Sequence, residues 1–196
     1  MNHQLIYAGP WTGGVTDRTA IIKASVINGV QNAGVEISID PNFKSTTFVP
    51  CTSIWQDQTG KFKRKLLTIS LSDLQPHQQY HYRLVLNDTV QENSGAFRTF
   101  PPARQRHDFR IVFASCSGNK RFTNLHYPMP EAFVAIRKEP DISLFLHLGD
   151  LHYANIRKPE LASRLEKYDW MLQRKEPGEL FRSHAIAYIW DDHDFL

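Results

Sequence analysis

The chain has 196 residues, 41% of them hydrophobic and 22% charged, which allows a packed core and argues against bulk disorder. Lysine and arginine exceed aspartate and glutamate by only three, so nucleic-acid binding driven by bulk charge is not supported. The two cysteines, Cys51 and Cys116, are too few for a disulfide-stapled scaffold, and the longest apolar runs, such as 142–148, are too short to cross a bilayer.

Met1-Asn2-His3-Gln4 lacks the basic n-region of a secretory signal, and no long apolar stretch follows. The expectation for the chain as written is therefore a cytoplasmic location, or an extracellular or periplasmic one if an upstream signal was removed. Asn87-Asp88-Thr89 fits the glycosylation acceptor pattern, which without export is coincidence.

Residues 1–104 read as β. Segments 19–27, 34–39, 63–70, 79–87 and 95–99 are rich in β-branched and aromatic residues. Turn clusters such as Asn28-Gly29 and Asp40-Pro41-Asn42 separate them. In segment 79–87, Tyr80, Tyr82, Leu84 and Leu86 share one face by the two-residue period. The spacing predicts an antiparallel sandwich. Leu74-Gln75-Pro76 followed by Tyr80 and Tyr82 places a tyrosine just past a corner, and the stretch resembles the corresponding segment of fibronectin type III modules. The basic stretch 61–65 reads as a solvated edge strand guarded by lysines.

Phe100-Pro101-Pro102 closes this half, and the boundary falls near residue 104. Residues 105–196 change rhythm. Buried strands are predicted over 109–114, 142–148 and 185–190, with helices over 130–138 and 161–172. The order β-α-β-α-β with continuous apolar strands predicts a parallel sheet covered on both faces.

The chemistry sits just after those three strands. The first ends at Ser115-Cys116-Ser117, the second at Gly149-Asp150-Leu151-His152-Tyr153, and the third at Asp191-Asp192-His193-Asp194. Ligands bind at the carboxyl ends of parallel strands, so Cys116, Asp150, Tyr153, Asp192, His193 and Asp194 should converge on one rim. Each has a plain structural reading alone: a core thiol, a Gly-Asp turn, a packing aromatic, a solvated acidic turn. Together, several anionic groups at one place repel unless a cation neutralises them, so the cluster is better explained with a metal than without one. His193 could ligate, or could pass a proton to a leaving oxygen while Asp194 orients it. His147 and His152 read as packing or supporting residues. Cys51 lies in the other half, and no Cys51–Cys116 disulfide is expected. No nucleophile elbow, phosphate-binding loop or Cys-x-x-Cys is present.

These residues carry a resemblance. Phe113 to Cys116, His147 to Tyr153 and Trp190 to Asp194 are similar, in order and spacing, to motifs of calcineurin-like metallophosphoesterases, most closely the alkaline phosphatase D (PhoD) family. Gly149, Asp150 and Tyr153 also fit the motif of purple acid phosphatases. The resemblance implies a fibronectin III-like β-sandwich followed by the first part of an α/β metallophosphoesterase domain. It implies a phosphate ester substrate and two metal ions, iron plus calcium. Cys116, Asp150, Tyr153 and Asp192 would be metal ligands, with Asp150 bridging. His193 would assist the leaving group, and Asp194 would orient it. Such enzymes draw further ligands from a downstream half of the sheet, so the expectation is the amino-terminal portion of a phosphatase or phosphodiesterase, with the third strand open as an edge. The alternative is a catalytically inactive binding protein whose sandwich presents a partner surface. Substrate preference, second metal and oligomeric state stay open.

Overall fold

The computed structural model describes residues 5–117, 131–152 and 160–195. The strands are β1 (Ile6–Gly13), β2 (Ala20–Ile27), β3 (Ala33–Ser38), β4 (Thr47–Pro50), β5 (Ser53–Gln56), β6 (Arg64–Leu71), β7 (Gln79–Leu86), β8 (Thr89–Arg98), β9 (Arg110–Ala114), β10 (Ile142–His147) and β11 (Ala185–Tyr188). The helices are α1 (Glu131–Lys138), α2 (Leu161–Leu172), α3 (Lys175–Ser183) and the single turn α4 (Asp192–Phe195).

Alternation builds the sandwich. On β2, Ala20, Ile22, Ala24 and Val26 point inward; on β7, Tyr80, Tyr82, Leu84 and Leu86 do so. With Val35, Leu67, Ile69 and Phe97 they form one buried core between an antiparallel sheet of order β4-β3-β7-β8 and the strands β5-β6-β2-β1. The two-residue connection of β7 to β8 is Asn87-Asp88, both at positive φ, the conformation of the turn that matches strand twist. The Tyr80 hydroxyl accepts the Gln75 amide proton at 2.9 Å, the bond of a tyrosine corner.

The sheet does not stop at the Pro101-Pro102 connection. β9, β10 and β11 are mutually parallel, as predicted, and β11 then pairs in parallel with β1 through Thr12–Ala185 and Gly13–Ile186. One seven-stranded sheet of order β5-β6-β2-β1-β11-β10-β9 results. The third strand of the second half is therefore not an edge, contrary to expectation; β9 is. The interior position of β11 follows from β1, which offers it the side that β2 leaves unpaired.

Two further expectations are corrected. Helices cover one face of the α/β strands, where Phe133 of α1 and Leu180 and Phe181 of α3 pack on Phe145 and Ile186, and on the other face Ala185 of β11 joins the sandwich core with Leu144 of β10 packed against it. That second covering does not reach β9, whose Ile111 and Phe113 stay 48% and 68% exposed, so coverage of all three strands on both faces is not found among the described residues. The basic stretch 61–65 is not a solvated edge. β6 lies between β5 and β2, Phe62 is buried, and Arg64 forms an ion pair with Asp169 of α2 at 2.6 Å, the two side chains being 12% and 4% exposed. Ser25 donates to the same carboxylate at 2.9 Å, so this triad fastens α2 to the outer face of the sandwich. Among the described residues no helix is long and apolar enough to cross a membrane.

Candidate metal centre

Three strand ends meet at one rim because their strands are adjacent and parallel. Backbone bonds lock the loops together: the Cys116 amide donates to the Gly149 carbonyl at 3.2 Å, and the Ser117 amide to that of Asp150 at 2.9 Å. Cys116 and Asp150 both adopt positive φ, of 59° and 56°. Non-glycine residues visit that region at a cost, and such strain gathers at functional sites. Gly149, at φ 91°, lets this loop touch the next one: a Cβ there would lie 2.5 Å from Asp191 Cβ.

The sequence-predicted residues come together in part as expected. Asp150, Asp192 and His193 each present a ligand atom within 4.8 Å of the others. Asp150 is buried, His193 half-buried and Asp192 exposed, so the cluster opens to solvent on the Asp192 side. Cys116 Sγ lies 3.8 Å from Asp150 Oδ2, and the main-chain amide of His193 donates to Asp150 Oδ1 at 3.1 Å. Two carboxylates, an imidazole and a thiol form a mixed hard and soft donor set that fits a transition-metal cation. Tyr153 lies outside the described residues.

Asp194 occupies a different position from its neighbours. It is buried, and its carboxylate accepts the Tyr168 hydroxyl at 2.7 Å, the Tyr188 hydroxyl at 2.8 Å, and the amides of Asp150 and Asp191 at 3.0 Å each. Arg164 donates to its main-chain carbonyl. Burial by itself would raise the Asp194 carboxyl, but the Asp191 amide, the two tyrosine hydroxyls and the Asp150 amide together hold it below the usual carboxylate range. Burial pushes both Tyr168 and Tyr188 upward, aided at Tyr188 by neighbouring Tyr168 and at both by the hydrogen bond to the Asp194 carboxylate, so each is a neutral donor. Asp194 is thus the knot between the loop after β10, the turn α4, helix α2 and strand β11.

His147 lies beneath the rim. Its Nε2 is 2.7 Å from Ser117 Oγ, and its ring stacks on Tyr188 at 5.3 Å. Burial pushes its pKa down to about 4, keeping the imidazole neutral. His152 is buried against the edge of Tyr168, and neither ring nitrogen has a hydrogen-bond partner among the described residues. Sequence reasoning missed Tyr188, Tyr168 and Ser117. The two-residue period of β11 was the available signal for Tyr188, since it puts Tyr188 on the same face as Ile186.

No protein-family model matches the sequence, and no curated protein does. Solved structures do match. PhoD superimposes with a TM-score of 0.73 over 98% of this chain at 16% identity. Purple acid phosphatase PPD1 from yellow lupin (Lupinus luteus) seeds superimposes with a TM-score of 0.63 over 93% at 17% identity. The chain spans 40% of the PhoD chain and 34% of the lupin one. At these identities, what it has in common with both phosphatases is the fold.

Proposed function

We propose that the chain carries part of the catalytic centre of a metal-dependent phosphoester hydrolase, a PhoD-like phosphatase or phosphodiesterase. The observation that supports this best is the meeting of Asp150, Asp192 and His193 within 4.8 Å, beside the Cys116 thiol, at the carboxyl ends of parallel strands. In this reading residues 1–104 are a fibronectin III-like sandwich, as the Tyr80 corner bond suggests, and residues 105–196 are the first part of an α/β catalytic domain. The fold match over 40% of the PhoD chain is consistent with further ligands coming from another segment.

Cys116, Asp150, Tyr153 and Asp192 would hold the cations, iron plus calcium. Bound cations supply charge neutralisation for the phosphate oxygens and an activated water. The protein's own contribution is placement. Asp150 faces Cys116 with one oxygen and is fixed through the other by the His193 amide. His193, half-buried at the mouth, would donate a proton to the departing oxygen. Asp194 would orient His193 through the main chain of α4, which its hydrogen bonds tie to the Asp150 amide, to Tyr168 of α2 and to Tyr188 of β11.

The test combines metal analysis of purified protein with hydrolysis of nitrophenyl phosphate monoester and diester, for this chain and for a longer one continuing beyond Leu196. Stoichiometric iron, lost in Asp150→Asn, with ester cleavage by the longer chain, is the expected result. Iron binding without cleavage of either ester, unaffected by Asp150→Asn, overturns the enzymatic reading.

A further inference from the structure

The tyrosine rings whose hydroxyls hold Asp194 also form one wall of a cavity of about 610 Å³. It lies between α2 and the outer face of β1, β2, β5 and β6, with Leu165 of α2 opposite Lys23 and Trp55. The size is that of a small-molecule site, for which ~300–1,000 Å³ is usual. Three of the four tryptophans in the sequence, Trp11, Trp55 and Trp190, line it. Trp55 and Trp190 are 39% and 58% exposed, so large aromatic surface stands open at this place.

Two charged side chains border the cavity besides these rings. Asp169 is committed to Arg64 and Ser25. Lys23 is exposed and has no hydrogen bond or ion pair among the described residues. The uncompensated charge at an aromatic-walled cavity is therefore a single ammonium. A flat ring gains most by stacking on tryptophan faces, and an anionic substituent on that ring would meet Lys23.

We propose that this cavity binds a flat aromatic anion, an aryl carboxylate, sulfonate or phosphate, its ring between Trp55 and Trp190 and its charge on Lys23. The proposal stands on this cavity and does not depend on the metal centre.

The probe is 8-anilinonaphthalene-1-sulfonate, titrated by its own fluorescence and by energy transfer from tryptophan. N-phenyl-1-naphthylamine serves as the uncharged analogue. One saturable site is expected. Lys23→Glu, at an exposed strand position, should weaken the anion roughly tenfold, since an ion pair is both lost and replaced by repulsion, while the uncharged analogue changes by less than about twofold. Leu165→Trp, which fills the cavity, should abolish binding of both. Phe113→Ser, on the exposed face of β9, should leave both unchanged. Absence of saturable binding overturns the proposal. So does anion binding indifferent to Lys23→Glu, or anion binding lost in Phe113→Ser but kept in Leu165→Trp. Should Leu165→Trp fail to fold by circular dichroism, the Lys23→Glu comparison between the two probes decides alone.

Discussion

Removing the Asp194 carboxylate should loosen the whole rim while leaving every metal-facing side chain in the sequence. Asp194→Ala strips the acceptor from four donors: the Asp150 and Asp191 amides and the Tyr168 and Tyr188 hydroxyls. The hydroxyls can turn toward one another, but the two amides cannot move without unwinding the loops. Leaving a buried donor unsatisfied costs about 1–3 kcal/mol; the Asp150 amide is buried and the Asp191 amide only part-buried, so the two together give about 3 kcal/mol. For a chain of this length that lowers Tm by about 6–12 °C. Asp194→Asn should cost less, about 1–2 kcal/mol. Its amide oxygen can serve the two backbone amides while its NH2 meets the tyrosine hydroxyls, which can accept. Thermal and urea unfolding followed by circular dichroism measures both variants. Tyr188→Phe in the Asp194→Ala background should cost less than it does alone, because only its bond from the Leu151 amide, at 3.2 Å, is left to lose. If Asp194→Ala melts within about 2 °C of the unmodified chain, or if the two substitutions add fully, the knot described here does not hold the rim.

Three other outcomes follow from the same geometry. With His147 held near a pKa of about 4 against 6.5 when unfolded, the unfolded chain binds the extra proton between those values, so stability is lost as pH falls through that window, by about 3 kcal/mol in all. Urea midpoints from pH 7.5 to 4 should show this slope, and His147→Phe should flatten it. Asp169→Ala leaves the buried Arg64 guanidinium without its partner and should cost about 3–5 kcal/mol in urea unfolding, whereas Ser25→Ala should cost about 1 kcal/mol. Gly149→Ala must displace Asp191, 2.5 Å from the new Cβ, and should both destabilise the chain by about 3 kcal/mol and lower iron affinity measured by competition with a chelator.

The sequence showed most clearly what depends on short-range period. β2 and β7 fall within the predicted segments 19–27 and 79–87, the latter with the alternation expected of it, and α2 occupies the predicted range 161–172. β1 was missed because Gly9 and Pro10 interrupt it, and in the fold its pairing with β2 carries irregularities at those positions. α3 was missed because Pro177 and Gly178 lie inside its first turns; Gly178 is there because a Cβ would meet the Leu172 carbonyl at 2.7 Å. The strand-end rule was enough to bring Cys116, Asp150, Asp192 and His193 to one rim. It could not reveal that Asp194 would turn away to Tyr168 and Tyr188, since that choice is made by α2 and β11 packing on one another. Likewise, Arg64 looked like surface charge because its partner, Asp169, lies far along the chain.

The pairing of β1 with β11 also bears on how the molecule is made. β1 precedes β11 by nearly the whole span described, so one flank of β1 must wait, unsatisfied, until all the chain between them has been made. The sandwich strands can assemble in the meantime from neighbours in sequence, but the large sheet can be closed only late. A nascent chain arrested before Ala185 would expose that waiting flank to other nascent chains or to a chaperone.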